Sequence, residues 1–212
     1  MSTTSLSLLS SALFLALTSS AFAASSVDLA VKGSIVPSAC TPALSEGGVV
    51  DYGKIAAKDL NVDTETSLPT KALQFSVSCD AATLVAVRTM DNRTGSSSGV
   101  LDSEKFGLGL INNGTEKLGY MGVRFLNSSL IVDDAPAGSL SSRKKEGPWM
   151  SSRYWAHEIY LTPTVPGGTT PIPAKLWTAE ARIYTKIAPT SELSLSGEVP
   201  IDGSITVEVV YL

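Results

Sequence analysis

Residue types that usually build metal and nucleophilic sites are scarce in this sequence. Its 212 residues include one histidine, His157, and two cysteines, Cys40 and Cys79. Zinc sites made of histidine and cysteine usually need three or four such ligands. A catalytic triad would have to use His157, whose neighbour Glu158 would point to the opposite face of a strand. We therefore predict a protein that is not an enzyme and that uses no metal or cofactor.

Charged residues are also few, and their balance is slightly negative. The chain has 16 Lys and Arg against 20 Asp and Glu, a net charge of −4. Proteins that bind nucleic acid usually carry an excess of positive charge on one face, so we predict no nucleic-acid partner. The basic run at 143–145 is interpreted as a solvated loop. A carboxylate pair of the glycosidase type is left open by counting alone, and we expect Asp133 and Asp134 to be solvated.

The N-terminal apolar stretch, residues 8–17, is too short to cross a membrane as a helix, because about 20 residues are needed. It is followed by Ala21, Phe22 and Ala23, a small-residue pattern that is typical of signal-peptide cleavage. We predict a secretory signal peptide at 1–23. Residues 24–212 would then form a single exported domain that does not span a membrane.

Export bears on the two cysteines, because disulfides form and persist in oxidising compartments. An even number of cysteines in such a chain predicts a disulfide between Cys40 and Cys79. The closed loop of about 40 residues would contribute about 4 kcal/mol to stability in the chain-entropy description. The alternative is two buried thiols.

Helical periodicity is almost absent, and short runs of period two lie between turn residues. This pattern predicts an all-β sandwich or barrel. The predicted strands cover residues 27–35, 49–55, 73–79, 83–90, 106–112, 120–126, 155–163, 176–187 and 204–212. The Asn113-Gly114 dipeptide predicts a hairpin between 106–112 and 120–126, and 80–82 is predicted to be a short connection. Residues 132–150 are the least regular and are interpreted as a mid-chain insertion.

Alternation assigns side chains to faces in three of these strands, since the side-chain period of a strand is two. The residues predicted to share a face are Leu73, Phe75, Val77 and Cys79 in one strand, Trp177, Ala179, Ala181, Ile183 and Thr185 in a second, and Ile205, Val207, Val209 and Tyr211 in a third. Trp149, Tyr154 and Trp155 flank the insertion. They have the chemistry to stack on a sugar, and we expect them instead to cover the core.

Several stretches resemble the subunits of chaperone–usher pili. They are LAVKGSIVPSAC at 29–40, VVDYGKI at 49–55, FSVSCDA at 75–81 and the alternating end SITVEVVYL with its penultimate Tyr211. The chain is most similar to a subgroup of secreted, fimbria-like proteins of Gram-negative bacteria, domain of unknown function 1120. That similarity includes the Asp91-Asn92-Arg93 triplet. It covers residues 27–93 and the chain from 176 onward.

The resemblance implies an immunoglobulin-like, pilin-like β-sandwich that lacks one strand, with the insertion at 132–150. A groove would lie open beside the strand 204–212, and it would be filled first by a strand of a periplasmic chaperone and then by the N-terminal extension of a neighbouring fimbrial subunit. The groove residues implied are Ile205, Val207, Val209 and Tyr211, and the donor residues of the extension 24–32 are Val27, Leu29 and Val31. An outer-membrane usher would be a further partner. The implied route runs through the periplasm to a surface fimbrium.

Two features depart from the pilin pattern. The extension 24–32 has nine residues and spans at most about 30 Å, and the glycine that pilins often have about fourteen residues from the end is replaced here by Gly197 and Gly203 on either side of that position. An alternative interpretation is therefore a self-contained secreted or periplasmic binding module, adhesive or lectin-like. In that interpretation the insertion supplies the missing strand or the ligand surface.

Overall fold

The structure is a computed structural model that describes residues 30–31, 39–100 and 102–212. The chain divides into two compact units, Met1–Ile35 and Val36–Leu212. The fold described below is that of the second unit.

The predicted N-terminal features fall largely outside the described residues. This holds for the signal peptide at 1–23, for Val27 and Leu29, and for most of the predicted strand 27–35. Val31 is described, is exposed and lies outside any strand or helix. The domain boundaries and the donor role of these residues therefore stay predictions.

Regular structure in the described part of the chain consists of β-strands and short 3-10 turns. The first sheet contains β1 (Cys40–Leu44), β2 (Thr66–Ser67), β3 (Lys71–Thr83), β5 (Phe106–Gly107), β8 (Gly119–Phe125), β9 (Ile131–Val132), β10 (Ala135–Pro136) and β14 (Ala174–Ile187). The second contains β4 (Val85–Asp91), β11 (Gly138–Ser142), β12 (Met150–Ser151), β13 (Ile159–Thr164) and β15 (Ile205–Tyr211). A separate pair consists of β6 (Leu110–Ile111) and β7 (Glu116–Lys117). The 3-10 turns are Ser45–Gly48, Ala57–Asp59, Asn127–Ser129 and Thr190–Glu192.

The two sheets form an antiparallel sandwich. The main order of the first is β1-β3-β14-β8-β5, and that of the second is β12-β11-β13-β4-β15. The chain changes sheet between β3 and β4, with Leu84 as the only residue between the two strands. The prediction of an all-β, sandwich-like fold is confirmed, and it is consistent with an immunoglobulin-like arrangement.

Four aromatic side chains form the centre of the core between the sheets. The Phe75 ring lies 5.1 Å from that of Phe125, 5.8 Å from Trp155 and 5.1 Å from Trp177, measured between centroids. All four side chains are at most 2% exposed. Tilted and edge-to-face contacts of this kind add to the free energy gained from burial alone. The alternation that predicted buried faces in β3 and β14 is confirmed, since Phe75 and Trp177 lie on those faces.

The predicted hairpin around Asn113 and Gly114 is confirmed. Its outer pairing is β5 with β8 and its inner pairing is β6 with β7, interrupted at Leu108, Gly109 and Leu118. Residues Asn112, Asn113 and Gly114 all have positive φ. Asparagine and glycine tolerate this conformation, so the turn follows directly from the sequence.

Three sequence predictions about local structure are wrong. Residues 49–55 do not form a strand, because a 3-10 turn precedes them and Gly53, at φ 63°, turns the backbone away from extended geometry. Residues 80–82 are part of β3 and not a connection. The 132–150 segment is regular as far as Ser142, because it contributes β10 and β11, and β11 pairs with both β12 and β13, whereas residues 143–149 form no strand.

The aromatic cluster leads to a stability prediction. Replacing Phe75 with alanine should lower the free energy of unfolding by about 3–5 kcal/mol, because a large cavity would remain among three aromatic neighbours. Urea unfolding of the purified, oxidised protein measures this as a lower midpoint with an unchanged slope.

Leu110→Ala provides a control for this change, because the Leu110 side chain is 48% exposed. That variant should change stability by about 0.5 kcal/mol or less. Equal losses in the two variants would contradict the assignment of Phe75 to the centre of the core.

Candidate strand-acceptor groove

The strand β15 lies at the edge of the second sheet. Among the described strands it pairs only with β4, in the register Ile205↔Asp91 to Tyr211↔Val85. Asn92 N–H donates to the Ser204 carbonyl and Leu212 N–H donates to the Leu84 carbonyl. Even-numbered residues of this strand therefore hydrogen-bond to β4, and odd-numbered residues direct their backbone groups to the outer edge.

The same odd-numbered residues direct their side chains toward the core. They pack against the buried cluster, yet each is only half-buried: Ile205, Val207, Val209 and Tyr211. The neighbouring strand differs, since Val85, Val87 and Thr89 of β4 are completely buried. Thr206 and Glu208, on the opposite face of β15, are exposed. The apolar face of the edge strand is thus less covered than the sheet behind it.

A cavity of about 230 Å³ lies beside the half-buried side chains Ile205 and Val207 of β15. One wall is β15 with Ile205 and Val207, and the other wall comes from the end of β1 and the segment after it. The wall and floor residues are Leu44, Val50, Tyr52, Leu73, Val123, Trp155 and Ile183. We call this cavity the acceptor groove. It is apolar at its floor and bordered by an edge whose backbone donors and acceptors face outward.

Beyond the acceptor groove, the last residue of β15 is joined to the first sheet by a hydrogen bond. The Cys40 N–H donates to the Tyr211 hydroxyl at 3.1 Å. Cys40 is also joined to Cys79 of β3 by a disulfide, and the two residues are directly opposite each other in the sheet. The predicted disulfide is therefore confirmed, and it holds the strand that the C-terminal tyrosine contacts.

The other end of β15 is held by the Asp91-Asn92-Arg93 triplet at the turn after β4. The Asn92 amide nitrogen lies 2.9 Å from Ser204 Oγ and 3.0 Å from Thr206 Oγ1. The Arg93 guanidinium donates to both carboxylate oxygens of Asp202, at 2.9 and 2.8 Å. These bonds raise the pKa of Arg93 and lower the pKa of Asp202. The triplet thus fixes where β15 begins.

The structure brings the four predicted groove residues together on one strand face. Their role in binding a strand stays a prediction, as does that of Val27, Leu29 and Val31. The opposite wall, with Leu44, Val50 and Tyr52, was not predicted as part of the site. Its signal in the sequence is the apolar pair Val50 and Tyr52 in VVDYGKI, whose alternation predicts a strand.

The side chains considered for catalysis have structural contacts. His157 Nδ1 accepts a hydrogen bond from the Asp91 N–H, and the Glu158 carboxylate forms an ion pair with Arg88. Asp133 accepts hydrogen bonds from the backbone of Lys175 and Leu176. Within the described residues there is no group of three or more His, Cys, Asp or Glu that could hold a metal ion. Nor does any helix in that part have the length and hydrophobicity to span a membrane.

The mid-chain segment lies away from the acceptor groove. Its strands β11 and β12 extend the second sheet at the edge opposite β15. Trp155 is in the core, as expected, whereas Trp149 is half-buried and Tyr154 is 37% exposed. In the described residues this segment therefore does not supply a strand beside β15.

Comparison with known proteins supports the similarity to domain of unknown function 1120 and does not address the similarity to pilus subunits. A family model described as "Protein of unknown function (DUF1120)" matches residues 29–122. The chain is 28% identical over 225 residues to "Uncharacterized protein YhcF" of Escherichia coli (strain K12), which covers 91% of this chain and 93% of that protein. It is 37% identical over 95 residues to "Protein GltF" of the same strain, covering 41% of this chain and 37% of that protein. The family match includes β1, β3, β4 and the Asp91-Asn92-Arg93 triplet, and it ends within β8.

The hydrogen bond between the Cys40 N–H and the Tyr211 hydroxyl can be tested with Tyr211→Phe. Loss of the hydroxyl should leave the Cys40 N–H without its partner and lower stability by about 1–2 kcal/mol. Hydrogen exchange at the Cys40 amide should become faster than exchange in the centre of β3. Tyr160→Phe is the matched control, since no hydrogen bond from its hydroxyl is observed in the described part. If Cys40 exchanges equally fast in both variants, the contact does not hold β1.

The ion pair between Arg93 and Asp202 leads to a prediction about the pH dependence of stability. The lowered pKa of Asp202 means that its carboxylate stabilises the folded state above its usual pKa of 3.8, and that this contribution is lost as pH falls further through the lowered value. At neutral pH, Asp202→Asn should make hydrogen exchange at the backbone N–H of Asn92 about two- to fivefold faster than in the unmodified protein. The difference should disappear in acid, where both side chains are neutral.

Glu198→Gln removes another exposed ion pair from the same segment, the one with Lys54. It should leave exchange at Asn92 unchanged. A difference that persists in acid, or an equal effect of Glu198→Gln, would contradict the role given to Asp202.

Proposed function

We propose that the chain is a non-enzymatic structural subunit of a fimbria or fimbria-like surface fibre, and that the acceptor groove receives an extended strand from a partner. The observation that carries this proposal is that β15 is incompletely buried and incompletely paired. Its core-facing side chains are only half-buried, and its outer backbone edge has no partner strand among the described residues. An apolar groove beside a free edge suits a β-strand, because the edge supplies main-chain bonds and the groove supplies pockets for alternate side chains.

The partners in this proposal follow the pilin resemblance. A periplasmic chaperone would occupy the groove first, an outer-membrane usher would receive the complex, and the N-terminal extension of a neighbouring subunit would replace the chaperone strand. Val27, Leu29 and Val31 alternate along that extension, which is the spacing that a groove with pockets on one face requires. Burying three such side chains contributes roughly 1.5–3 kcal/mol each.

The position of the mid-chain segment supports this proposal over a closed, self-contained module. A closed module needs a strand from within the chain beside β15. The strands between 131 and 151 instead pair at the far edge of the second sheet and beside β14 of the first. The covalent link between Cys40 and Cys79 fits an exported protein.

A fusion of donor and acceptor in one chain tests the proposal. A second copy of residues 24–37 is appended after Leu212 through a flexible linker of about five residues, long enough to turn back along β15. The added strand should fill the groove and raise the thermal midpoint by about 10 °C or more, because a domain of this size gains about 2–4 °C per kcal/mol. Size exclusion should show a monomer.

Two matched controls separate strand insertion from a general effect of the added chain. Leu29→Asp with Val31→Asp in the appended copy should abolish the rise in the midpoint. In the acceptor, Val207→Asp should abolish it and Val210→Asp, on the outer face of the same strand, should preserve it. An unfused chain that melts cooperatively as a monomer at the same temperature as the fusion would mean that the groove accepts no strand.

A further inference from the structure

A second surface of interest lies on the outer face of the first sheet, away from the acceptor groove. Alternate residues of β8 and β14 point outward there, because the residues between them are buried in the core. Three cross-strand pairs form this surface, which we call the basic face: Tyr120↔Lys186, Gly122↔Tyr184 and Arg124↔Arg182.

The guanidinium of Arg124 is held by phenol groups and not by a carboxylate. Its Nε and Nη2 lie 2.8 and 2.5 Å from the Tyr184 hydroxyl, and its central carbon lies 4.5 Å from the centroid of the same ring. The hydrogen bond with Tyr154 raises the pKa of Arg124 and lowers the pKa of Tyr154. Among the described residues no carboxylate lies within 4.0 Å of this guanidinium. Its positive charge is therefore not neutralised within the described fold.

Arg124 also lies directly opposite a second arginine. Like charges opposite each other on a sheet are destabilising. Arg182 is partly compensated by Glu180 on its own strand, whose Oε1 accepts from Nε at 2.7 Å. The hydrogen bonds and the ring contact with Tyr184 stabilise the Arg124 cation, but they do not neutralise its charge.

The charge of this face is opposite to that of the chain as a whole. Lys105 and Lys186 lie over Tyr120, at 4.6 and 6.0 Å from the ring centroid, and Arg153 lies 5.6 Å from Tyr154. With the two arginines these make five cations against four nearby carboxylates, those of Glu65, Glu104, Glu180 and Asp102. Burial raises the pKa of Glu104, and Asp102 is close enough to raise it further. The excess is one positive charge on a chain whose net charge is −4. A ligand for this face should be an anion.

The shape of the face favours an extended ligand. Gly122 leaves a depression between Tyr120 and Arg124, because a Cβ built there would meet only the Glu104 carbonyl oxygen, at 3.7 Å. The cations at Arg182 and Lys186 are four residues apart on one strand, about 14 Å. A short polymer is long enough to contact both cations at once.

We infer that the basic face binds an acidic polysaccharide through its carboxylate groups. The guanidinium N–H groups that the contacts with Tyr184 and Glu180 leave unused can donate to carboxylates, and tyrosine rings and hydroxyls suit the apolar faces and hydroxyls of sugars. An acidic peptide fits less well. Both β8 and β14 have strands on each side, so no sheet edge is available there for main-chain pairing. The inference does not depend on strand acceptance by the groove.

Binding of defined oligosaccharides to the full chain, purified in oxidised form, tests the inference. The probe is a hexamer of galacturonic acid, titrated by calorimetry at low and at physiological salt, with a neutral galactose hexamer alongside. The acidic hexamer should bind at least about tenfold more tightly than the neutral one. Arg124→Gln with Arg182→Gln should weaken binding about 10- to 100-fold, the effect of losing charge-assisted hydrogen bonds.

Arg143→Gln with Lys144→Gln removes the same number of charges from an exposed loop, and it should change affinity by less than about twofold if binding is local and not a general charge effect. Gly122→Val fills the depression without altering charge and should also weaken binding, provided its thermal midpoint matches the unmodified protein. Equal losses in the two double variants, no binding at low salt, or tighter binding of a hexamer of glutamic acid would overturn the inference. The last result would indicate an acidic peptide partner.

Discussion

The aromatic cluster of Phe75, Phe125, Trp155 and Trp177 is the constraint on which the rest of the structure depends. Three of the rings come from β3, β8 and β14 of the first sheet, and Trp155 comes from the segment between β12 and β13. The cluster also borders the acceptor groove, because Trp155 is one of the residues that line it. The edge strand β15 packs against this core through side chains that remain half-buried.

The acceptor groove and the basic face use the same sandwich in different ways. The groove lies between the sheets and offers apolar pockets with a backbone edge, which suits a strand. The basic face lies on the outside of one sheet and offers only side chains, which suits a ligand without a backbone to pair. Arg124 points outward from β8, whereas Val123 of the same strand lines the groove, so the two sites lie on opposite faces of the first sheet. A fibre subunit with both features would join its neighbours through one and contact a surface through the other.

Much of the fold could be predicted from the sequence because period-two alternation is a direct consequence of strand geometry. It located the buried faces of β3 and β14 and the groove face of β15, and the Asn113-Gly114 dipeptide located a hairpin. Prediction failed where the backbone conformation, and not the side-chain pattern, determines whether a segment forms a strand. Val50 and Tyr52 alternate as in a strand, but Gly53 turns the chain, so they form a groove wall without pairing. The basic face could not be predicted, since Arg124 and Arg182 are 58 positions apart and only the strand register brings them together.

The position of Cys40 ties the order of maturation to the shape of the groove. Its side chain is bonded to β3 and its backbone N–H to Tyr211, so one residue joins the first sheet's edge to the end of the edge strand. In a chain whose cysteines are still reduced, β1 keeps only its backbone pairing, and the far wall of the groove loses its covalent anchor. Under the proposed function, oxidation would therefore have to precede partner capture, and the redox state of the compartment would determine when the chain can assemble.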